Sequence, residues 1–186
     1  FNNVISNNMS DGIYYGASSA PLIVKNNIIS GNGSYGLNEN DVNSDIAAGS
    51  NLFFNNGLGV LRNEGTTVVG SVALLNLIAG NSGNLSGDPL FLDEANNDFR
   101  ITSSSPATDA GATTGAPTED IDGEPRPNGA GVDIGADEYY PPHGADSNNN
   151  FVIDNFEMLH AVDDWANAAI TQGDLDNLRA LWSCLK

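Results

Sequence analysis

The chain has 186 residues, enough for one full domain and a small module, and carries 24 Asp and Glu against 6 Lys and Arg, a formal net charge of -18 with a pI near 4.1. Such a field repels nucleic-acid phosphates and anionic membrane surfaces and attracts cations, so calcium is the first partner to expect, with no nucleic acid and no membrane insertion. A single cysteine, Cys184, excludes an intrachain disulfide, and an apolar fraction of 40%, placed periodically, argues against a disordered chain.

A short phrase returns four times in the first half: Asn3-Val4-Ile5-Ser6-Asn7-Asn8, Asn27-Ile28-Ile29-Ser30-Gly31-Asn32, Asn51-Leu52-Phe53-Phe54-Asn55-Asn56 and Asn76-Leu77-Ile78-Ala79-Gly80-Asn81. Its leading asparagines stand at 3, 27, 51 and 76, steps of 24, 24 and 25. A glycine followed by an aliphatic residue keeps the same phase at Gly12-Ile13, Gly36-Leu37 and Gly59-Val60. A fixed period of this size signals a solenoid, and the β-branched content of each phrase predicts strands. Asn offers both an amide donor and a carbonyl acceptor. Asn3, Asn27, Asn51 and Asn76 are therefore expected to bond one above another at a corner while the apolar residues between fill the interior.

The phrases resemble those of right-handed parallel β-helix proteins, a group that includes pectate-lyase-like enzymes and many secreted bacterial surface proteins. The resemblance implies a mainly β fold: a right-handed parallel β-helix solenoid over residues 1–87, a β-rich C-terminal cap over 88–140, and a small two-helix EF-hand-like tail. It specifies fold far more than function, since such folds host lyases, hydrolases, adhesins and inert spacers. With Phe1 only two residues before the first phrase, the expectation is a C-terminal fragment whose first edge meets further coils or a partner chain.

Between the phrases, Gly-, Ser- and Asn-rich stretches suit turns. One of them holds Glu39, Asp41 and Asp45, which read first as a solvated loop and second as a calcium site or an acid and base pair. The sequons at Asn8, Asn32 and Asn84 reflect composition, two of them being coil asparagines. From residue 88 the period breaks. Asp88-Pro89-Leu90-Phe91, Asp98-Phe99-Arg100-Ile101, Ser105-Pro106-Ala107, Asp120-Ile121-Asp122-Gly123-Glu124-Pro125-Arg126 and Val132-Asp133-Ile134-Gly135 resemble the C-terminal tail of secreted bacterial β-helix repeat proteins. Short strands at 99–102 and 131–134 are expected to wrap the last coil. Asp120, Asp122 and Glu124 can bind a cation, but a turn neutralised by Arg126 is the favoured reading.

Tyr139 to Gly144 reads as a proline-stiffened linker, giving boundaries at 141–145 and a helical module at 146–186. Residues 146–157 then fit a twelve-residue calcium loop: Asp146, Asn148, Asn150, Asp154 and Glu157 supply side-chain oxygens, the carbonyl of Val152 a sixth position, and Ile153 the aliphatic anchor. Phe151 replaces the usual glycine, and asparagines lower the ligand charge, so the affinity for Ca2+ is expected to be weak, about 0.1 to 1 mM. A helix near 155–166 places Phe156, Leu159, Val162 and Trp165 near one face. Thr171-Gln172-Gly173-Asp174 is a capping box ahead of a second helix with a Leu175, Leu178, Leu181, Trp182, Leu185 stripe. This arrangement resembles the dockerin modules that attach secreted carbohydrate-active proteins to a scaffold. The second half-loop, with Trp165 and Ala168 at ligand and glycine positions, is expected to be empty.

No triad motif or phosphate loop occurs. Because β-helix lyases abstract a proton with Lys or Arg, the resemblance nominates Lys25 and Arg62, with Glu39, Asp41 and Asp45 as acids. The residues favour a non-catalytic, calcium-stabilised extracellular or cell-surface anchoring segment of a bacterium, associated with polysaccharide or a scaffold protein. The alternative is the C-terminal part of a polysaccharide lyase or glycoside hydrolase acting on acidic glycans.

Overall fold

Each Asn-led phrase sets β-branched or aromatic residues between two residues that turn the chain, and the first three of them form strands. A computed structural model describes residues 1–16, 20–42, 45–141, 158–159, 162 and 171–183. The chain divides into two units, Phe1–Tyr139 and Tyr140–Lys186. In the first unit, β1 (Val4–Ser6), β4 (Ile28–Ser30), β7 (Leu52–Phe54) and β10 (Leu85–Ser86) form a parallel sheet. A second sheet orders β2 (Ile13–Tyr15), β5 (Tyr35–Glu39), β8 (Gly59–Asn63) and β9 (Thr67–Val69), with β9 antiparallel to β8. β3 (Leu22–Lys25) pairs in parallel with β6 (Ile46–Gly49), and β11 (Phe91–Asp93) pairs antiparallel with β12 (Asp98–Ile101).

The fold is therefore mainly β with several parallel sheets, and this corrects the expected right-handed parallel β-helix solenoid. The sheets are separate, two of four strands and two of two. The 24-residue step relates Val4 to Ile28 and Ile28 to Leu52, but the next partner of Leu52 is Leu85, 33 residues on. The physical reason lies between them. After β8 the chain reverses into β9, then forms a one-turn helix, α1 (Val72–Leu75), capped by the Ser71 side chain. Asn76 to Asn81, expected as a fourth strand, instead follows that helix as turns. The cap carries less strand than expected: 131–134 makes only an isolated bridge, Val132 to Gly111.

The asparagine ladder forms with one changed rung. Asn3 donates through backbone and side chain to Asn27 Oδ1 (3.0 and 3.1 Å), Asn27 likewise to Asn51 Oδ1 (2.9 and 2.9 Å), and Asn51 to Asn84 Oδ1 (3.1 and 2.9 Å). Asn76 joins beyond Asn84: its Oδ1 accepts from the Asn84 backbone and side chain (3.1 and 2.8 Å), and its Nδ2 donates to the Asn84 carbonyl (2.9 Å). A parallel ladder runs Asn8, Asn32, Asn56. The left-handed backbone needed at each corner belongs to the residue before the rung, Asn2, Asn26 and Ser50 on one side and Asn7, Gly31 and Asn55 on the other. The phase-keeping glycine has a steric cause: a Cβ on Gly12 would stand 2.7 Å from the carbonyl oxygen of Gly36.

Two apolar clusters result. The inner one joins Ile29, Leu37, Phe53 and Leu61 with Val69, Val72 and Leu75, so β9 and α1 close it at one end. The outer one sets Ile28 and Leu52, from the opposite face of the first sheet, against Ile101, Ala107 and Ile134. The cap thus covers the flank of that sheet instead of wrapping its last edge. Asn2 donates to the Asp133 carbonyl (3.1 Å), and Asn26 exchanges two 2.8 Å bonds with Ala112.

In the second unit, α2 (Gln172–Ser183) opens on a reciprocal capping box: Thr171 N donates to Asp174 Oδ2 (2.9 Å) and Asp174 N to Thr171 Oγ1 (3.2 Å). Leu175 and Met158 are buried, whereas Leu159 and Val162 are exposed. The calcium loop at 146–157 lies outside the described residues.

Candidate functional site

β12 alternates Asp98, Phe99, Arg100, which puts the acid and the base on one face, and Arg100 Nη2 pairs with Asp98 Oδ2 at 2.6 Å. Onto this pair the tail of the cap brings further carboxylates. Asp120 organises the turn after it, its Oδ1 accepting from the backbone of Asp122 (2.9 Å) and Glu124 (2.8 Å) and its Oδ2 from Glu138 N (3.1 Å). Asp137, buried, accepts from Ile101 N at 3.1 Å. Arg100 is the cation that acts on this group.

Crowding shifts the acids. Burial first, then repulsion from Asp120 and Asp122, pushes Glu124 up to about 7. Burial raises Asp137 to about 7 against the pull of its Ile101 hydrogen bond, with Asp120, Asp122 and Glu124 adding to the rise. Asp122 moves up for the same reasons, while the Arg100 hydrogen bond holds Asp98 down. The linkage sign follows. A carboxyl whose folded pKa lies above its unfolded value stabilises fully below the unfolded pKa and loses that contribution as pH rises through the folded one. Thermal melts should therefore show stability falling from about pH 4 to about pH 7, the window between the ordinary carboxyl values and the shifted ones. Glu124→Gln should flatten part of that fall; an unchanged slope would refute the assignment.

Arg126 does not neutralise this turn, contrary to the reading from sequence. Its side chain is buried and paired to Glu138 Oε2 at 2.8 Å, with further bonds to the Asp133 and Gly135 carbonyls at 3.2 and 3.0 Å. Glu138 also accepts from Asn128 N and Asp133 N. Arg126 therefore locks the core of the cap. Arg100 and Asp137 were the members missed by sequence reasoning, since they lie 20 residues before Asp120 and 13 after Glu124. The same-face alternation of Asp98 and Arg100 was the available signal.

The nominated catalytic residues are used in different ways: Lys25, Glu39 and Arg62 stand on three different strands, and of the acids Asp45 acts on Glu39. Lys25, at the end of β3, donates to the Thr114 carbonyl at 3.1 Å and so ties the cap to the sheet corner. Arg62 stands on β8, in register with Asn38 and Val68. Glu39 is 3% exposed at the end of β5, with Oε1 lacking a partner. Burial, then the charges of Asp45 and Glu64, raises its pKa, and hydrogen bonds from the backbone of Glu64 and Ile46 oppose the rise. Asp45 is exposed, and Asp41 is partly buried with a partner of its own. Among the described residues no group of three or more His, Cys, Asp or Glu is placed to hold a metal ion, and no helix is long and apolar enough to cross a membrane.

Comparison with protein-family models, with curated proteins and with solved structures returns no match.

Proposed function

We propose that the chain is a non-catalytic, calcium-stabilised extracellular module, dockerin-like in its C-terminal unit, that anchors to or associates with carbohydrate. The observation that supports it most is how the nominated catalytic groups are used. Lys25 serves as a tether to Thr114, and Glu39 lies in the interior. A lyase or hydrolase would require such groups to converge on one open groove. The bond network instead extends from the asparagine ladders into the cap, which suits a rigid spacer. Calcium enters through the loop at Asp146, Asn148, Asn150, Val152, Asp154 and Glu157, whose spacing carries that part of the reading.

Calcium in roughly 10- to 100-fold excess over its dissociation constant should stabilise the C-terminal unit by about 1.4 to 2.7 kcal/mol, read as a higher melting temperature. Asp146→Ala combined with Glu157→Ala should abolish the gain. Identical melting in calcium and in chelator would sink the proposal.

A further inference from the structure

Asn-Gly sets a side-chain amide next to an unhindered backbone nitrogen, and the pair occurs three times, at Asn32-Gly33, Asn56-Gly57 and Asn128-Gly129. Glycine has no Cβ to shield that nitrogen or restrict its backbone, so here the two groups can react with each other. The ladder ties up the first two pairs. Asn32 accepts from the Asn8 backbone and side chain (3.2 and 2.8 Å) and donates to Ile5 O and Asn56 Oδ1 (3.1 and 2.9 Å). Asn56 accepts in the same way from Asn32 (3.2 and 2.9 Å) and donates to Ile29 O (3.0 Å). Their glycines are fixed as well, Gly33 N donating to Asn8 O and Gly57 N to Asn32 O, both at 2.8 Å.

Asn128 is held differently. It lies outside strands and helices, partly buried, with Gly129 exposed beside it. Its side chain donates one bond, from Nδ2 to the Tyr139 carbonyl (2.9 Å). Among the described residues Gly129 N has no acceptor. The glycine is required at 129, where φ is +119° and a Cβ would stand 2.8 Å from Asp109 Oδ1.

We propose that Asn128 is a site of spontaneous modification, where the folded chain deamidates itself while the two ladder asparagines are spared. Gly129 N gives its proton to solvent base and attacks Asn128 Cγ. The Cγ–Nδ2 bond breaks, and Nδ2 leaves as ammonia with a proton from water. Water then opens the cyclic imide at either carbonyl, leaving aspartate or a β-linked isoaspartate at 128. Reaction at a rung must first break the glycine's backbone bond and at least three side-chain bonds, against one side-chain bond at Asn128. It should therefore be roughly tenfold or more slower at the rungs.

The product has consequences for the cap. It has no Nδ2 to serve the carbonyl of Tyr139, the last residue of the first unit. It also adds a carboxylate beside Glu138, which accepts from the Asn128 backbone and is paired in the interior with Arg126. Modification thus loosens the closing contact of the cap as the protein ages.

The test is incubation of the full chain at neutral and mildly alkaline pH, followed by peptide mass spectrometry and isoaspartyl-specific methyl labelling. Peptides spanning Asn128 should convert roughly tenfold or more faster than those spanning Asn32 or Asn56, and faster at the higher pH. In urea the three sites should react at similar rates, because unfolding removes the bonds that separate them. Asn128→Gln should remove the labelling at 128 alone, and Asn128→Asp, a mimic of the product, should melt below the native chain. Equal rates at the three sites in the folded chain, faster reaction at either rung, or the same selectivity persisting in urea would overturn the inference. So would native melting of Asn128→Asp, or no reaction at 128 in the folded chain while the urea-unfolded chain reacts there. The rate comparison is made within the native chain, so it depends on no variant folding, and it is independent of the calcium reading.

Discussion

Asn51→Ala is expected to destabilise the first unit by roughly 3 to 6 kcal/mol, a large share of the 5 to 15 kcal/mol that holds a typical domain together. Asn51 is fully buried. Its Oδ1 receives the backbone and the side chain of Asn27, both at 2.9 Å, and its Nδ2 serves Val24 O and Asn84 Oδ1, both at 2.9 Å. Truncation strips partners from the Asn27 amide, the Val24 carbonyl and the Asn84 amide at once. Each buried orphan costs about 1 to 3 kcal/mol, and water entering the gap recovers part of the sum. Urea unfolding at constant pH measures the loss. Asn56→Ala is the internal comparison, since Asn56 makes equivalent bonds to Asn32 and Ile29 but is only partly buried. It should cost clearly less. Equal losses at the two positions, or less than about 1 kcal/mol at Asn51, would show that the ladder is not a source of stability.

The second large effect is expected at Arg126. The side chains of Arg126 and Glu138 are 1% and 0% exposed, and removing one member of a buried pair leaves the other charge uncompensated. Arg126→Ala should cost about 3 to 5 kcal/mol. The double variant Arg126→Met with Glu138→Gln should recover part of that loss, because the neutral amide retains an acceptor for Asn128 N or Asp133 N while the orphan charge disappears. Arg126 Nε already lacks a partner in its buried site, so the native pair is not fully satisfied and a neutral replacement is a fair competitor. Strictly additive losses from the two single changes would show that the residues act independently.

Much of the first unit was legible from the chain because its signals are local and repeated. The step from Asn3 to Asn27 to Asn51 gave the strand registers of β1, β4 and β7 to the residue, and the Gly12, Gly36 column followed from close backbone approach. The fourth phrase misled because composition alone cannot separate a strand from a short helix and turn when Ser71 caps the one and Leu77 is left 81% exposed by the other. The rung it should have filled passed to Asn84, which keeps an asparagine at the same corner after a longer excursion.

For the site, the sequence placed Asp120, Asp122 and Glu124 on one turn, since turns are local. It assigned them the wrong cation, because Arg126, two residues away in sequence, is turned inward by Glu138 at 2.8 Å, and Arg100 arrives from a different strand. The sequence by itself determined the strand composition, the 24-residue register, the acidic field and the spacing of the loop at 146–157. Tertiary structure alone decided that the sheets are separate, that the cap covers a sheet flank, and which carboxylates share one neighbourhood. Those outcomes depend on contacts between residues 20 to more than 100 positions apart, such as Asn2 with Asp133. Burial and charge compete there in ways that periodicity cannot express.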